Sequence, residues 1–408
     1  MRFGPLDQMF RRSVGAHPLH IGVVLELDGD PPLLEELRAH LADRLPGLPA
    51  LRCLPPRVLG REWIAYPPER LALDRHVREL RARPAGRDEA LLEIHQEPLP
   101  AGSDPGWDLW LVHGHADRSY LLCYRVQHSL QDGIGAAHTV RQLLDAPVLT
   151  PSTRSRNHRL TLRAVWSTLR VLADSWRPVA GWPQLQARPS GTAQLSFTTV
   201  GLDRLRQAAA PLGGSVNDAY LAALTGAWRS WYLEQHPGAG CPPLTVGVPV
   251  SVRTAAERTA PGNRVGGIWV RLATDRPEPA DWLRAVVRQT RRANTIGWPA
   301  VGTLAQRRCP RPLATWLVTR LATTGATPAV ASNVNIGADP LAWGPDRVTS
   351  ASILGLLAPD QLCYTVLTGY RDQATLHVVH DTALPGADRL PQHWLASLDQ
   401  LGADRARA

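Results

Sequence analysis

Two hydrophobic periods run through this chain, and they divide it into strands and helices. Residues 17–27 and 61–66 alternate apolar with polar, as half-buried strands do, whereas 32–45 and 87–96 space their apolar residues as helices do. Residues 110–115 and 119–126 form an expected hairpin. Its second arm is an almost unbroken apolar run, the mark of a strand covered on both faces. A helix is expected over 134–144. The second half opens with a strand at 193–200 and a helix at 201–210. A longer helix over 219–232, begun by Ser215 or Asn217 as its cap, follows. Strands are then expected at 244–253, 267–272, 362–369 and 374–381, with helices at 279–292 and 387–401.

The pattern changes between the halves. Within 151–188, Leu160, Leu162, Val165, Trp166, Leu169, Leu172 and Trp176 fall near one helical side, with arginines flanking them. Such a helix either crosses between two domains or lies on a membrane surface. Pro178, Pro183 and Pro189 then mark a linker. The expected division is therefore 1–150, a crossover and linker at 151–190, and 191–408.

Composition narrows the classes without choosing one. A chain of 408 residues with 44% hydrophobic and 20% charged residues builds a sizeable core. The net charge of +9 comes from arginine alone, for there is no lysine. The arginines are scattered and no nucleic-acid motif accompanies them, so a smaller anion or an acidic carrier protein is favoured over nucleic acid. Five widely spaced cysteines without a C-x-x-C pair argue for a reducing compartment, and against a zinc site or disulfide framework. No apolar run is long enough to span a bilayer and the first residues lack a signal-peptide core. The expected location is the cytoplasm, with peripheral membrane contact left open.

The chemistry gathers at residues 120–138, YLLCYRVQHSLQDGIGAAH. His128 stands where the apolar strand ends, Asp132 four residues on, and Gly133 beside it. A histidine held at a strand end suits general-base work on a hydroxyl or amine. Asp132 either orients His128 or anchors the loop through an arginine. Gly133 lets backbone or substrate approach closely. Read alone, H-x-x-x-D-G also fits a structural histidine before a turn.

This stretch resembles the H-H-x-x-x-D-G motif of the wax ester synthase/diacylglycerol acyltransferase family. That family belongs with chloramphenicol acetyltransferases and peptide-synthetase condensation domains. The family's catalytic histidine falls on His128, its aspartate and glycine on Asp132 and Gly133, and Gln127 replaces its first histidine. The resemblance continues in order along the chain. Pro5-Leu6-Asp7 matches an early P-L-D turn, and Leu19-His20-Ile21-Gly22 a following strand in which His20 is a lesser site candidate. Pro105-Gly106-Trp107 matches P-L-W except for its glycine, with core packing the plainer role for Trp107. Val216-Asn217-Asp218 matches V-N-D, with Asn217 near the cleft and Asp218 holding the helix start. Residues 248–253 match V-P-V-S-V-R, and 262–265 match G-N-R-V. Ser332-Asn333-Val334 opens like S-N-V-P-G-P and then departs from it.

The resemblance implies two chloramphenicol acetyltransferase-like α/β halves set in a V, with His128 midway along a central tunnel. It implies an acyltransferase taking its acyl group from a thioester, on coenzyme A or on the phosphopantetheine of an acyl carrier protein. The acceptor is an alcohol or amine. No metal or redox cofactor is implied. Arg253 and Arg264 are both candidates to pair Asp132. Backbone N–H groups near Gly133, with Ser332 or Asn333, are candidate oxyanion donors. A natural-product condensation enzyme is the alternative, toward which Gln127, Gly106 and the altered loop after Asn333 lean. A non-catalytic binding relative is the third reading.

Overall fold

The computed structural model describes residues 2–12, 17, 19–57, 60, 62–100, 104–144, 146, 166, 182–254, 257–296, 310–322 and 328–403. Most of the expected basic helix at 151–188, and Cys309, lie outside the described residues.

The first half supplies helices α1 (Pro5–Arg12), α2 (Leu34–Arg44), the single turn α3 (Leu73–His76), α4 (Arg87–Gln96) and α5 (Gly133–Leu143). Its strands are β1 (His20–Asp28), β2 (Cys53–Leu54), β3 (Ile64–Ala65), β4 (Val77–Arg81), β5 (Trp107–Ala116) and β6 (Ser119–Gln127). The second half supplies β7 (Ala193–Gly201), α6 (Leu202–Ala209), α7 (Val216–Gln235), β8 (Leu244–Ser251), β9 (Val265–Leu272) and α8 (Pro279–Ile296). It ends with α9 (Arg311–Ala322), β10 (Ala329–Gly337), β11 (Ala342–Trp343), β12 (Asp346–Leu354), β13 (Cys363–Tyr370), β14 (Gln373–Asp381) and α10 (Leu390–Ala403).

Two mixed six-stranded sheets result, one ordered β11-β12-β1-β6-β5-β4 and the other β7-β14-β13-β10-β8-β9. The division of the chain near residue 150 does not carry over strictly to the sheets. β11 and β12 belong to the second half of the sequence, yet β12 pairs antiparallel with β1, Val23 opposite Ile353. The first sheet is completed by the far end of the chain.

β6 reads as a continuous apolar run because both its faces are covered. Tyr120, Leu122, Tyr124 and Val126 join α2 and α5 in one cluster. Leu121 and Cys123 face α4 instead. Arg125, in mid-strand and fully buried, is held by Asp108 across the ladder at 2.9 Å and 2.5 Å. The second sheet buries one face under α6, α7, α8 and α10, with Trp228, Trp282 and Trp394 in that core. From its other face Val334, Ile336, Val366 and Tyr370 enter the first half's cluster, so the halves share apolar interior. The seam between them is where β6 delivers its end.

Candidate active site

β6 closes at Gln127, whose backbone N–H donates to Gly106 at 2.8 Å. The next N–H, that of His128, donates to Leu19 at 3.0 Å, so the imidazole springs from backbone pinned on both sides. The loop that follows is tied inward. Tyr124 donates its phenol to Gln131 at 2.8 Å, and the Gln131 amide donates to Thr139 on α5. Asp132 then caps α5, accepting from the Gly135 N–H at 2.8 Å.

The second half holds this loop from across the seam. Arg253, at the end of β8 and 7% exposed, donates from Nε to both carboxylate oxygens of Asp132 at 3.0 Å and 3.1 Å. Its remaining nitrogens donate to the carbonyls of Glu257, Ala260 and Gly262, bracing the stretch before β9. Arg264 takes a different part. Its backbone N–H donates to Asp132 at 2.8 Å, while its side chain pairs with Glu257 at 3.1 Å. The guanidinium beside Asp132 is thus that of Arg253. Burial pushes the Asp132 carboxyl up, but Arg253 and the Arg264 and Gly135 N–H groups outweigh it and hold the group below the usual carboxylate range.

Gly262, Asn263 and Arg264 present three successive backbone N–H groups. They donate to the carbonyl of Leu130 and to the carboxylates of Asp7 and Asp132. Gly262 sits at φ +87°, and a side chain there would meet the Asp7 carboxylate at 2.7 Å. The Asn263 amide donates both to Asp7 at 2.9 Å and to the carbonyl of His128 at 2.6 Å.

His128 is partly exposed, and its Nδ1 is buried without a hydrogen-bond partner. The ring of Phe10 lies over it, centroids 4.1 Å apart and planes 15° apart. Desolvation lowers the imidazole pKa, and a hydrogen bond to its own backbone, the Asp132 charge and the Asn263 side chain only partly restore it. A neutral imidazole is ready to accept a proton. Asp7 and Asn263 stand out along the chain only as members of the P-L-D and G-N-R-V matches, with no role attached, and Phe10 does not stand out.

The other candidates are distributed as follows. Gly133 opens α5, and a Cβ on it would approach Val334 on β10 to 3.0 Å, so its missing side chain lets the halves close. Ser332 lies on the face of β10 shared with Val334, hydrogen-bonded with Tyr364. Asn333 points the opposite way, donating to Asn217 at the start of α7 at 3.3 Å. Asp218 forms a capping box with Ser215 and accepts from Thr290 at 2.7 Å, which is work on α7 and α8. Trp107 is fully buried, donating to the carbonyl of Leu51. His20, opposite Gln127 in the ladder, is buried against His95 and Arg125 and does not open to a cleft. Asn217, Asp218, Asn333, Trp107 and His20 make these side-chain contacts with groups other than His128 and Asp132. Among the described residues, no group of three or more histidine, cysteine or acidic side chains is placed to hold a metal ion.

Known proteins match this chain in sequence and in fold. The wax ester synthase/diacylglycerol acyltransferase catalytic domain matches residues 3–177, and the WS/DGAT C-terminal domain matches 261–402. The chain belongs to the wax ester synthase/diacylglycerol acyltransferase family. It is an acyltransferase. It is 25% identical to the probable diacylglycerol O-acyltransferase tgs1 of Mycobacterium tuberculosis, over 89% of this chain and 86% of that one. The wax ester synthase/diacylglycerol acyltransferase of Marinobacter aquaeolei has the same fold, with a TM-score of 0.69 at 20% identity and full coverage of both chains. The first condensation domain of the calcium-dependent antibiotic synthetase also shares it, with a TM-score of 0.63 at 20% identity over 97% of this chain and 93% of that one. The two α/β halves expected from the resemblance are the fold found.

Proposed function

We propose that this chain moves an acyl group from an acyl-CoA thioester to a hydroxyl acceptor, with His128 as general base. The observation that carries the reading is a partly exposed imidazole fixed at the seam between the halves, its pKa lowered by burial. With Nδ1 buried, proton transfer falls to Nε2. Nε2 takes the acceptor's proton as its oxygen adds to the thioester carbonyl. The tetrahedral oxyanion then collapses, the carbon–sulfur bond breaks, and the imidazolium returns the proton to the leaving thiolate. Ester and free thiol are the products, and no covalent link to the protein forms.

The oxyanion needs donors placed beforehand. At the start of α5 the N–H groups of Gly133 and Ile134 are the two that Asp132 leaves to others, since it takes those of Gly135 and Ala136. Ser332 is better placed to assist than Asn333, which is turned to Asn217. The relatives' names support a glyceride or long-chain alcohol as acceptor. A starter condensation domain of rhizomide synthetase with C8-CoA bound, similar in fold at a TM-score of 0.65, supports a coenzyme A donor.

The test is ester formation by mass spectrometry from palmitoyl-CoA with a long-chain alcohol or diacylglycerol. His128→Ala is expected to lose about 10²- to 10⁴-fold in rate while melting near the parent temperature. Equal turnover by the variant would remove His128 from the mechanism. Turnover by the intact chain only with a carrier-bound thioester would move the donor to a phosphopantetheine carrier.

A further inference from the structure

The proposed base is not positioned by its own loop alone. The chain's first helix reaches it from the other side. Within α1, Asp7 is fully buried and accepts from the Gly4 N–H at 2.7 Å, the Asn263 N–H at 2.7 Å and the Asn263 amide at 2.9 Å. One turn on, Phe10 lies flat against the imidazole. The same Asn263 amide grips the carbonyl of His128, so both ends of the contact hang from one side chain. The outer side of α1 rests on α9, where Thr315 bonds Gln8 at 3.1 Å.

Resting on the general-base reading, we propose that α1 is the positioning element of His128. Asp7 anchors the helix to Asn263, and Phe10 fixes the plane of the imidazole by stacking on it. Nδ1 makes no standard hydrogen bond, and the edge of the ring is supported only by its own backbone and the Asn263 side chain. In many sites a group bonded to the distal nitrogen fixes the ring; here a flat ring on the face adds that restraint. Asp7 and Phe10 both act through His128, as positioning residues.

Plain core packing is the competing explanation, and leucine separates the two because it fills the site without a ring. The protein would be prepared with isotope-labelled histidine as wild type, Phe10→Leu, Phe10→Tyr and His128→Ala. The imidazole proton signals that vanish in His128→Ala are expected upfield in the wild type, shifted by the phenyl ring current. They should move downfield in Phe10→Leu and stay in place in Phe10→Tyr. In the ester assay Phe10→Leu should lose about 10- to 100-fold in kcat, the scale of a slightly misplaced catalytic group. KM should be unchanged, and tyrosine should restore kcat. If leucine does not fold, Phe10→Met, also without a ring, is read in its place. Ring signals and kcat that ignore the loss of the aromatic ring overturn the proposal, as does a loss seen in KM alone. An active His128→Ala defeats the general-base reading instead, whereas an inactive His128→Ala beside a fully active Phe10→Leu defeats only the positioning role.

Discussion

Asp132 shows how much one carboxylate can be asked to do. It caps α5, receives the Arg264 N–H and neutralises Arg253, while 2% exposed. Asparagine keeps one acceptor oxygen, so it can cap the helix through Gly135 or accept from Arg264, while its NH2 faces the other donor. Asp132→Asn removes the charge and one acceptor, leaving Arg253 buried without its ion-pair partner. A cost of about 3 to 5 kcal/mol is expected, read from urea unfolding, together with loss of ester formation as the loop carrying His128 loosens. A change within about 0.5 kcal/mol, the usual span of surface substitutions, would mean that the carbonyl contacts of Arg253 hold the loop unaided. The cluster was half legible in the sequence for a simple reason. His128, Asp132 and Gly133 occupy one strand–loop–helix unit, where spacing reveals proximity. Asp7 and Asn263 meet across 256 residues, and only the fold shows that. Spacing could offer Arg253 and Arg264 as partners for Asp132, yet not that one gives a side chain and the other a backbone N–H.

Elements with a clean period were readable, and those without one were not. The alternation of β7 and the helical spacing of α4 survive almost residue for residue. β12, DRVTSASIL, buries its last four residues in succession, which blurs the alternation, and so it passes unnoticed. α1 reads as a turn because Pro5 opens it, though proline at a first helical position is favourable. The loop at 262–264, legible in the sequence only as a match to G-N-R-V, proves to be the joint on which α1 and α5 both depend. Its glycine is the test. Gly262→Ala must give up the left-handed backbone or drive its methyl into Asp7, and a loss of about 1 to 3 kcal/mol is expected from the strain. Gly267→Ala, a few residues away on β9, meets nothing within 4 Å and serves as the control. If the two variants unfold at the same urea concentration, the joint bends freely and α1 is not tied through it.

At the scale of the whole molecule, the halves are joined by β12 in the first sheet, by the shared apolar cluster, by the Arg253–Asp132 seam and by a further buried acid. That acid is Asp381, at the end of β14. It accepts from the Nε2 of His17, just before β1, at 2.8 Å. Ser190, Gly191 and Ala383 donate their backbone N–H groups to the same carboxylate, and the Ser190 hydroxyl adds a further bond at 2.7 Å. Burial alone would raise its pKa, but these donors lower it to about 2. The sign follows from linkage. A carboxylate depressed in the folded state lends its stability in full above its unfolded pKa, and surrenders it as pH falls through the folded value. For Asp381 that window runs from 3.8 down to about 2, and the shift corresponds to about 2 kcal/mol at neutral pH. Asp381→Asn should therefore unfold at lower urea near neutrality. Its deficit should shrink steadily as the titration moves below about pH 4. A deficit that persists undiminished in acid would assign the cost to lost shape rather than lost charge, and the clasp between His17 and β14 would then be a matter of packing.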